Sequence, residues 1–179
     1  GVKMWGFGRE DQLTEGIHIR QRSRAFVIAQ ADEPRSRLVF VSADLGSIEH
    51  HITLAVIDRL QKLYGATYSI NNVIISATHT HAGPGGYWHS RSDLGLDGGL
   101  YPEHFLAIVE GITASIISAH GDLEPGSIRI AKGDLNNAGA NRSVSAYLEN
   151  PQVERDQYAN NTPTQMTLLK FSDDSGDIG

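Results

Sequence analysis

The stretch "SRLVFVSADLGSIEHHITLAVIDRLQKLYGATYSINNVIISATHTH", residues 36–81, decides the fold. Its opening "SRLVFVSADLG" (36–46) is rich in β-branched and aromatic residues and reads as a strand. Residues 47–65 carry apolar side chains at Ile48, Ile52, Ala55, Val56, Leu60 and Leu63, which is helical spacing. Ser47 stands at the N-cap position and Gly65 at the stop. "NNVIISATHTH" (71–81) returns to a strand, so the stretch predicts strand, helix, strand. Working outward, "SRAFVIAQA" (23–31) is a further strand joined to it across the Pro-containing turn "DEPR" (32–35). A second helix is predicted over 101–123, with Pro102 at its start and Gly121 past its end. "GSIRIAKGDL" (126–135) and "TQMTLLKFS" (164–172) read as strands, and 136–163 as a long polar irregular loop. This alternation predicts an α/β fold, a mostly buried mixed β-sheet flanked by helices. Strand order is left open. The closing "LLKFSDDSGDIG" reads as a strand, a turn and the first step of another strand, and both ends read as cut.

Composition narrows the classes. The 179 residues carry 15 Lys and Arg against 21 Asp and Glu, a formal charge of −6, with no basic stripe; nucleic acid is not an expected partner. No apolar stretch approaches the roughly 20 residues that cross a bilayer, and there is no signal-like segment or lipidation motif. Cysteine is absent, so a metal site here must use histidine and oxygen ligands. Two glycosylation triplets, at Asn141 and Asn160, are of a kind that chance produces often.

The chemistry concentrates at the end of the third strand. Side chains on a strand alternate, so His79 and His81 are expected on one face and Thr78 and Thr80 on the other. Strand carboxyl ends open onto the ligand crevice of α/β sheets. Gly83, Gly85 and Gly86 follow at once and permit a sharp turn with close backbone approach. Two imidazoles so placed suit a divalent cation, zinc above all. The plainer alternative is one packed and one solvated histidine. His50 and His51 are helical neighbours that cannot share a face and are expected to pack or be solvated; His89, His104 and His120 stand alone. Asp44 ends an apolar strand and reads equally as a partner orienting a metal-bound histidine or as a helix-entry residue.

With these residues read, the chain resembles the amino-terminal part of the catalytic domain of neutral (non-lysosomal) ceramidases. The blocks that carry the resemblance are "MWGFG", "GIHIRQRSRAFVIA", "VFVSADLG", "NVIISATHTHAGPGGY", "NRSVSAYLENP" with "ER" and a tyrosine shortly after, and "MTLLKF". They occur in the family's order across nearly the whole chain, so residues 1–179 are expected to be part of a larger catalytic domain. The resemblance implies hydrolysis of N-acylsphingosine (ceramide) to sphingosine and a fatty acid with one catalytic zinc. It makes His79 a zinc ligand, whereas spacing alone would make ligands of both histidines. It makes His81 a catalytic residue beside the substrate and Arg142 an active-site arginine facing the substrate's polar head. Gly83 and Gly85 are expected to let the head group approach, and Tyr87 and Trp88 either to line the entrance or to pack. It also implies a structural calcium or magnesium held partly by the main-chain oxygen of His18.

The family's remaining zinc ligands and its serine block match nothing in this sequence, and the 179 residues alone are expected to be inactive. The expected partners are ceramide, a membrane surface reached only through that substrate, and the remainder of the catalytic domain. The family's usual setting is secreted or at the outer cell surface. The competing readings are a zinc amidase or esterase for a non-lipid substrate and a non-catalytic lipid-binding piece.

Overall fold

The computed structural model describes residues 1–9, 11–33, 36–88, 99–173 and 175–177. Pro34 and Arg35 of the expected turn, and His89, lie outside the described residues. The chain divides into two compact units, Gly1–Leu123 and Glu124–Gly179.

The first unit holds strands β1 (Ser23–Ala29), β2 (Arg37–Ala43) and β3 (Val73–Ala77), with helices α1 (His50–Tyr64) and α2 (Pro102–Gly121). β1 and β2 are antiparallel, paired from Ser23↔Ala43 to Ala29↔Arg37. β2 and β3 are parallel, from Val39↔Val73 to Ala43↔Ala77, with α1 as the helical crossover that a parallel pair needs. The sheet is therefore mixed, in the order β1-β2-β3, and the open question of strand order is answered.

Alternation along β2 sets the core face. Val39, Val41 and Ala43 are buried, while Leu38 and Phe40 on the other face keep about 40% of their surface. The buried side meets Ile52, Val56 and Leu60 of α1, four residues apart, and Val109, Ile112 and Ile116 of α2. Helical spacing thus marked Ile52, Val56 and Leu60 correctly in α1, whereas Leu63 of the same pattern is exposed and Ile57, outside it, is buried. α1 begins two residues later than Ser47 would place it, with Glu49 in the N-cap position. The Ser47 hydroxyl is occupied otherwise: it accepts the Trp88 indole N–H at 3.2 Å.

At the far end of α2, His120 is wedged among aromatic rings and an arginine. Its ring stacks on Tyr64 at 4.0 Å, and Nδ1 lies 2.5 Å from the buried Tyr68 hydroxyl and 2.8 Å from Arg37. The same Arg37 nitrogen lies 3.2 Å from Nε2, and because a guanidinium only donates, a ring nitrogen accepts and the ring is neutral. Loss of solvation, then the Arg37 charge, push the His120 pKa below its ordinary value. The unfolded chain therefore takes up this proton first, and stability should fall as pH drops through about 6.5. We expect a His120→Phe variant to show a smaller decline in urea midpoint between about pH 7.5 and 5.5 than the parent; an equal decline would locate the pH dependence elsewhere.

The second unit pairs β4 (Ser127–Asp134) with β5 (Gln165–Asp173), antiparallel from Ser127↔Ser172 to Asp134↔Gln165. β5 then pairs with the two-residue β6 (Gly176–Asp177), where the sequence anticipates strand after a turn. The segment between β4 and β5, expected to be irregular, contains α3 (Val144–Leu148) and α4 (Gln152–Arg155). Helices of five and four residues span barely a turn, too little for a period to register in the sequence. Among the described residues no helix is long and apolar enough to cross a membrane.

Candidate functional site

β2 and β3 end side by side at Ala43 and Ala77, so the segments after them leave the same edge of the sheet. The backbones stay together for two more bonds, from Thr78 N–H to Ala43 O (3.0 Å) and from Thr80 N–H to Leu45 O (3.2 Å). Between them His79 takes φ +60°, the left-handed region that non-glycine residues seldom occupy. β3 has already ended at Ala77, so the two histidines lie beyond the strand on which the period-two argument placed them. Their rings nevertheless converge, because the turned backbone at His79 brings them together.

His79 Nδ1 lies 2.9 Å from the carbonyl oxygen of Gly46. A carbonyl accepts only, so Nδ1 carries the proton and Nε2 presents its lone pair. His81 Nε2 stands 3.4 Å from that same atom. Two nitrogens bound at the usual zinc distance on adjacent corners of a tetrahedron are roughly 3.3–3.4 Å apart. The pair therefore fits as part of a zinc donor set, with one tautomer already selected by a main-chain carbonyl. Among the described residues no third His, Cys, Asp or Glu joins them.

Trp5 completes this corner. Its ring is 7% exposed and meets both imidazoles edge to face, His79 at 5.2 Å and His81 at 5.0 Å between centroids. The Trp5 backbone N–H donates to Gly83 O at 3.0 Å. A Cβ on Gly46 would overlap the indole, and one on Gly6 would come within 2.5 Å of the His81 ring. The indole N–H is buried without a partner among the described residues, which costs about 1–3 kcal/mol. Sequence reading gave Trp5 no role. No period marks it, although it stands in "MWGFG", one of the blocks that carry the resemblance.

Gly83 and Gly85, expected beside the substrate, are buried, and their main-chain groups bond within the chain. Besides the Trp5 contact, Gly85 N–H donates to Lys3 O (2.8 Å), and Gly85 O accepts His104 Nδ1–H (2.8 Å). Tyr87 is 1% exposed, with its hydroxyl 3.3 Å from the Ser47 nitrogen, and it packs in the core while also lining a neighbouring cavity. His51, stacked on Phe105 at 5.1 Å and bonded to Tyr87 O at 3.0 Å, packs as expected. Asp44 is engaged by arginine. Arg24 reaches it with both terminal nitrogens, at 2.9 and 3.3 Å, and the Arg22 N–H donates at 3.0 Å. These bonds, Arg24's first, hold the carboxyl below its ordinary pKa, and Asp44 bonds to neither histidine.

Beside this edge a cavity of about 290 Å³ runs between Ser23, Ala43, Leu45, Pro84 and the Ile108 and Ile112 side chains of α2. His18 is exposed on the segment before β1. Arg142 belongs to the second unit, exposed in a turn that Asn141 pins by accepting the Ser143 N–H at 2.8 Å and donating to Asn161 O at 3.2 Å.

The class of molecule follows from these features: an α/β fold with a histidine pair at the carboxyl edge of two parallel strands. Comparison with known proteins makes it particular. Residues 1–179 match the family model for the neutral/alkaline non-lysosomal ceramidase, N-terminal, and the chain belongs to this family. It is 48% identical over 174 residues to neutral ceramidase 3 of Arabidopsis thaliana, covering 97% of this chain and 23% of that protein. It is 42% identical over 178 residues to the neutral ceramidase of Pseudomonas aeruginosa, covering 99% of this chain and 26% of that protein. The crystal structure of a Pseudomonas aeruginosa neutral ceramidase superposes with a TM-score of 0.89 at 42% identity, over 98% of this chain and 27% of that one. A structure described as "Ceramidase complexed with C2" gives a TM-score of 0.88 at 43% identity, again over 98% of this chain and 27% of that one. The chain thus spans about a quarter of the length of these relatives.

Proposed function

We propose that the protein is a zinc-dependent amide hydrolase that cleaves N-acylsphingosine to sphingosine and a fatty acid. The observation that carries this reading is the convergence of the His79 and His81 Nε2 atoms at 3.4 Å, with the His79 proton committed to Gly46. Its support in substrate is family membership, together with the relatives' own names and the ceramidase solved with C2.

His79 would hold the zinc through Nε2, with its Nδ1 proton committed to the Gly46 carbonyl. His81 orients the attacking water or the head group from beside the metal, and Arg142 donates hydrogen bonds to substrate oxygens through its planar fork. Bound there, zinc supplies Lewis acidity toward a weakly electrophilic amide carbonyl and toward water. Gly83 and Gly85 shape the turn that leaves room for the head group. A hard cation, calcium or magnesium, at the His18 carbonyl belongs to the same reading. Two histidines are too few for a tight site, so the other ligands come from the remainder of a full-length protein, and the 179 residues alone should bind zinc weakly and turn over nothing.

The test is hydrolysis by the full-length protein of N-acylsphingosines of graded chain length against short soluble N-acyl amides. Turnover should depend strongly on chain length, disappear on chelation and return with zinc. Equal turnover of the short amides would favour a non-lipid amidase, and absence of any hydrolysis a lipid-binding piece.

A further inference from the structure

Trp5 meets four features of the histidine corner at once, and nothing in the proposed chemistry uses it. Its ring lies edge to face with both imidazoles, at 5.2 and 5.0 Å. It fills the space over Gly46, where any Cβ would overlap it, and Gly46 is the residue whose carbonyl fixes the His79 tautomer. Its own backbone N–H is tied to Gly83 O at 3.0 Å, so the ring is anchored to the turn that follows the histidines. The next residue, Gly6, has φ +76° and lets the chain pass directly under the His81 ring.

We infer that Trp5 is a positioning residue for the metal site, a buried wedge that holds the His79 and His81 rings in their converging orientation. The inference rests on the zinc reading of the histidine pair. His79 and His81 are both exposed and follow the end of β3, so no ladder fixes their side chains. His79 has one hydrogen bond to hold it, through Nδ1, and a ring held by one bond still swings about that bond. A buried indole against both rings restricts this freedom before the metal arrives, and preorganised ligands bind more tightly than ligands that must be ordered. The buried indole N–H has no partner among the described residues, so within them Trp5 contributes bulk and shape and no side-chain hydrogen bond.

The experiment measures zinc affinity of the full-length apo-protein by chelator competition, with the urea midpoint of each variant, across Trp5→Phe, Trp5→Val and Trp5→Ala. Affinity should follow side-chain volume. The Phe variant should stay within about threefold of the parent, and the Ala variant should lose on the order of tenfold or more, the scale of losing an outer-shell support of a metal ligand. The Val variant should fall between them, and carries the test if the Ala variant does not fold. Ile116→Ala, a core truncation in α2, is the control for general destabilisation; it should lower the urea midpoint and leave zinc affinity within about threefold. Unchanged affinity in the Val variant, or an equal loss in Ile116→Ala, overturns the wedge. His79→Ala in the same series separates the two levels. If it keeps the parent's affinity, the zinc reading fails and the wedge with it; if it loses zinc while the Trp5 variants do not, the wedge alone fails.

Discussion

Replacing His79 by alanine in the full-length protein is expected to reduce zinc affinity by more than about 100-fold and ceramide turnover by on the order of a thousandfold. The size follows from what the side chain contributes. Losing a residue that merely supports a ligand costs metal sites about 10- to 100-fold, and a direct ligand must exceed that. His79 also carries the only tautomer in the pair that a main-chain carbonyl fixes, through Gly46 at 2.9 Å, so no neighbour is prepared to substitute for it. His81→Ala should behave differently. If His81 acts beside the metal, its loss should depress turnover far more than zinc content, whereas equal depletion of zinc in both variants would make His81 a ligand as well. The 3.4 Å separation suits either role, and metal analysis of the two variants decides between them. Stoichiometric zinc and normal turnover in His79→Ala would eliminate the assignment altogether.

The fold is legible where one pattern runs long enough to be read. Ile52, Val56 and Leu60 repeat over the length of α1, so most of its buried face follows from spacing, with Leu63 the exposed exception, while β2 is legible as a strand from its β-branched and aromatic composition. α3 and α4 are too short to repeat anything, and their place in the sequence reads only as polar and irregular. The histidine pair was legible for a reason that needed correction. Spacing predicted convergence from strand alternation, but convergence comes from the left-handed backbone at His79, which no residue type announces. Trp5 and Gly46 were illegible in another sense. Their role is a contact between segments 41 residues apart, and neither residue shows on its own that the other is there. Asp44 is the converse case: its position at a strand end invited a metal-linked role, yet Arg24, on the neighbouring antiparallel strand, already engages it. Local sequence gives elements and their faces, while the partners of a polar group depend on what folding brings beside it.

Arg142→Ala should separate catalysis from folding more cleanly than any other substitution. The guanidinium is exposed in a turn before α3, and among the described residues it makes no hydrogen bond or ion pair. The turn is held by Asn141 on either side of it and does not depend on the arginine. Removing an exposed side chain with no such partner changes stability by no more than about 0.5 kcal/mol. A donor aimed at charge that develops on a substrate oxygen is worth on the order of a hundredfold in kcat. The variant is therefore expected to unfold at the parent's urea concentration, retain its zinc and lose about two orders of magnitude in kcat. Arg142→Lys keeps the charge without the planar fork and should recover only part of that loss. A variant with the parent's kcat would remove Arg142 from the mechanism. Loss of zinc in parallel with activity would instead mean that the arginine acts by supporting the metal site.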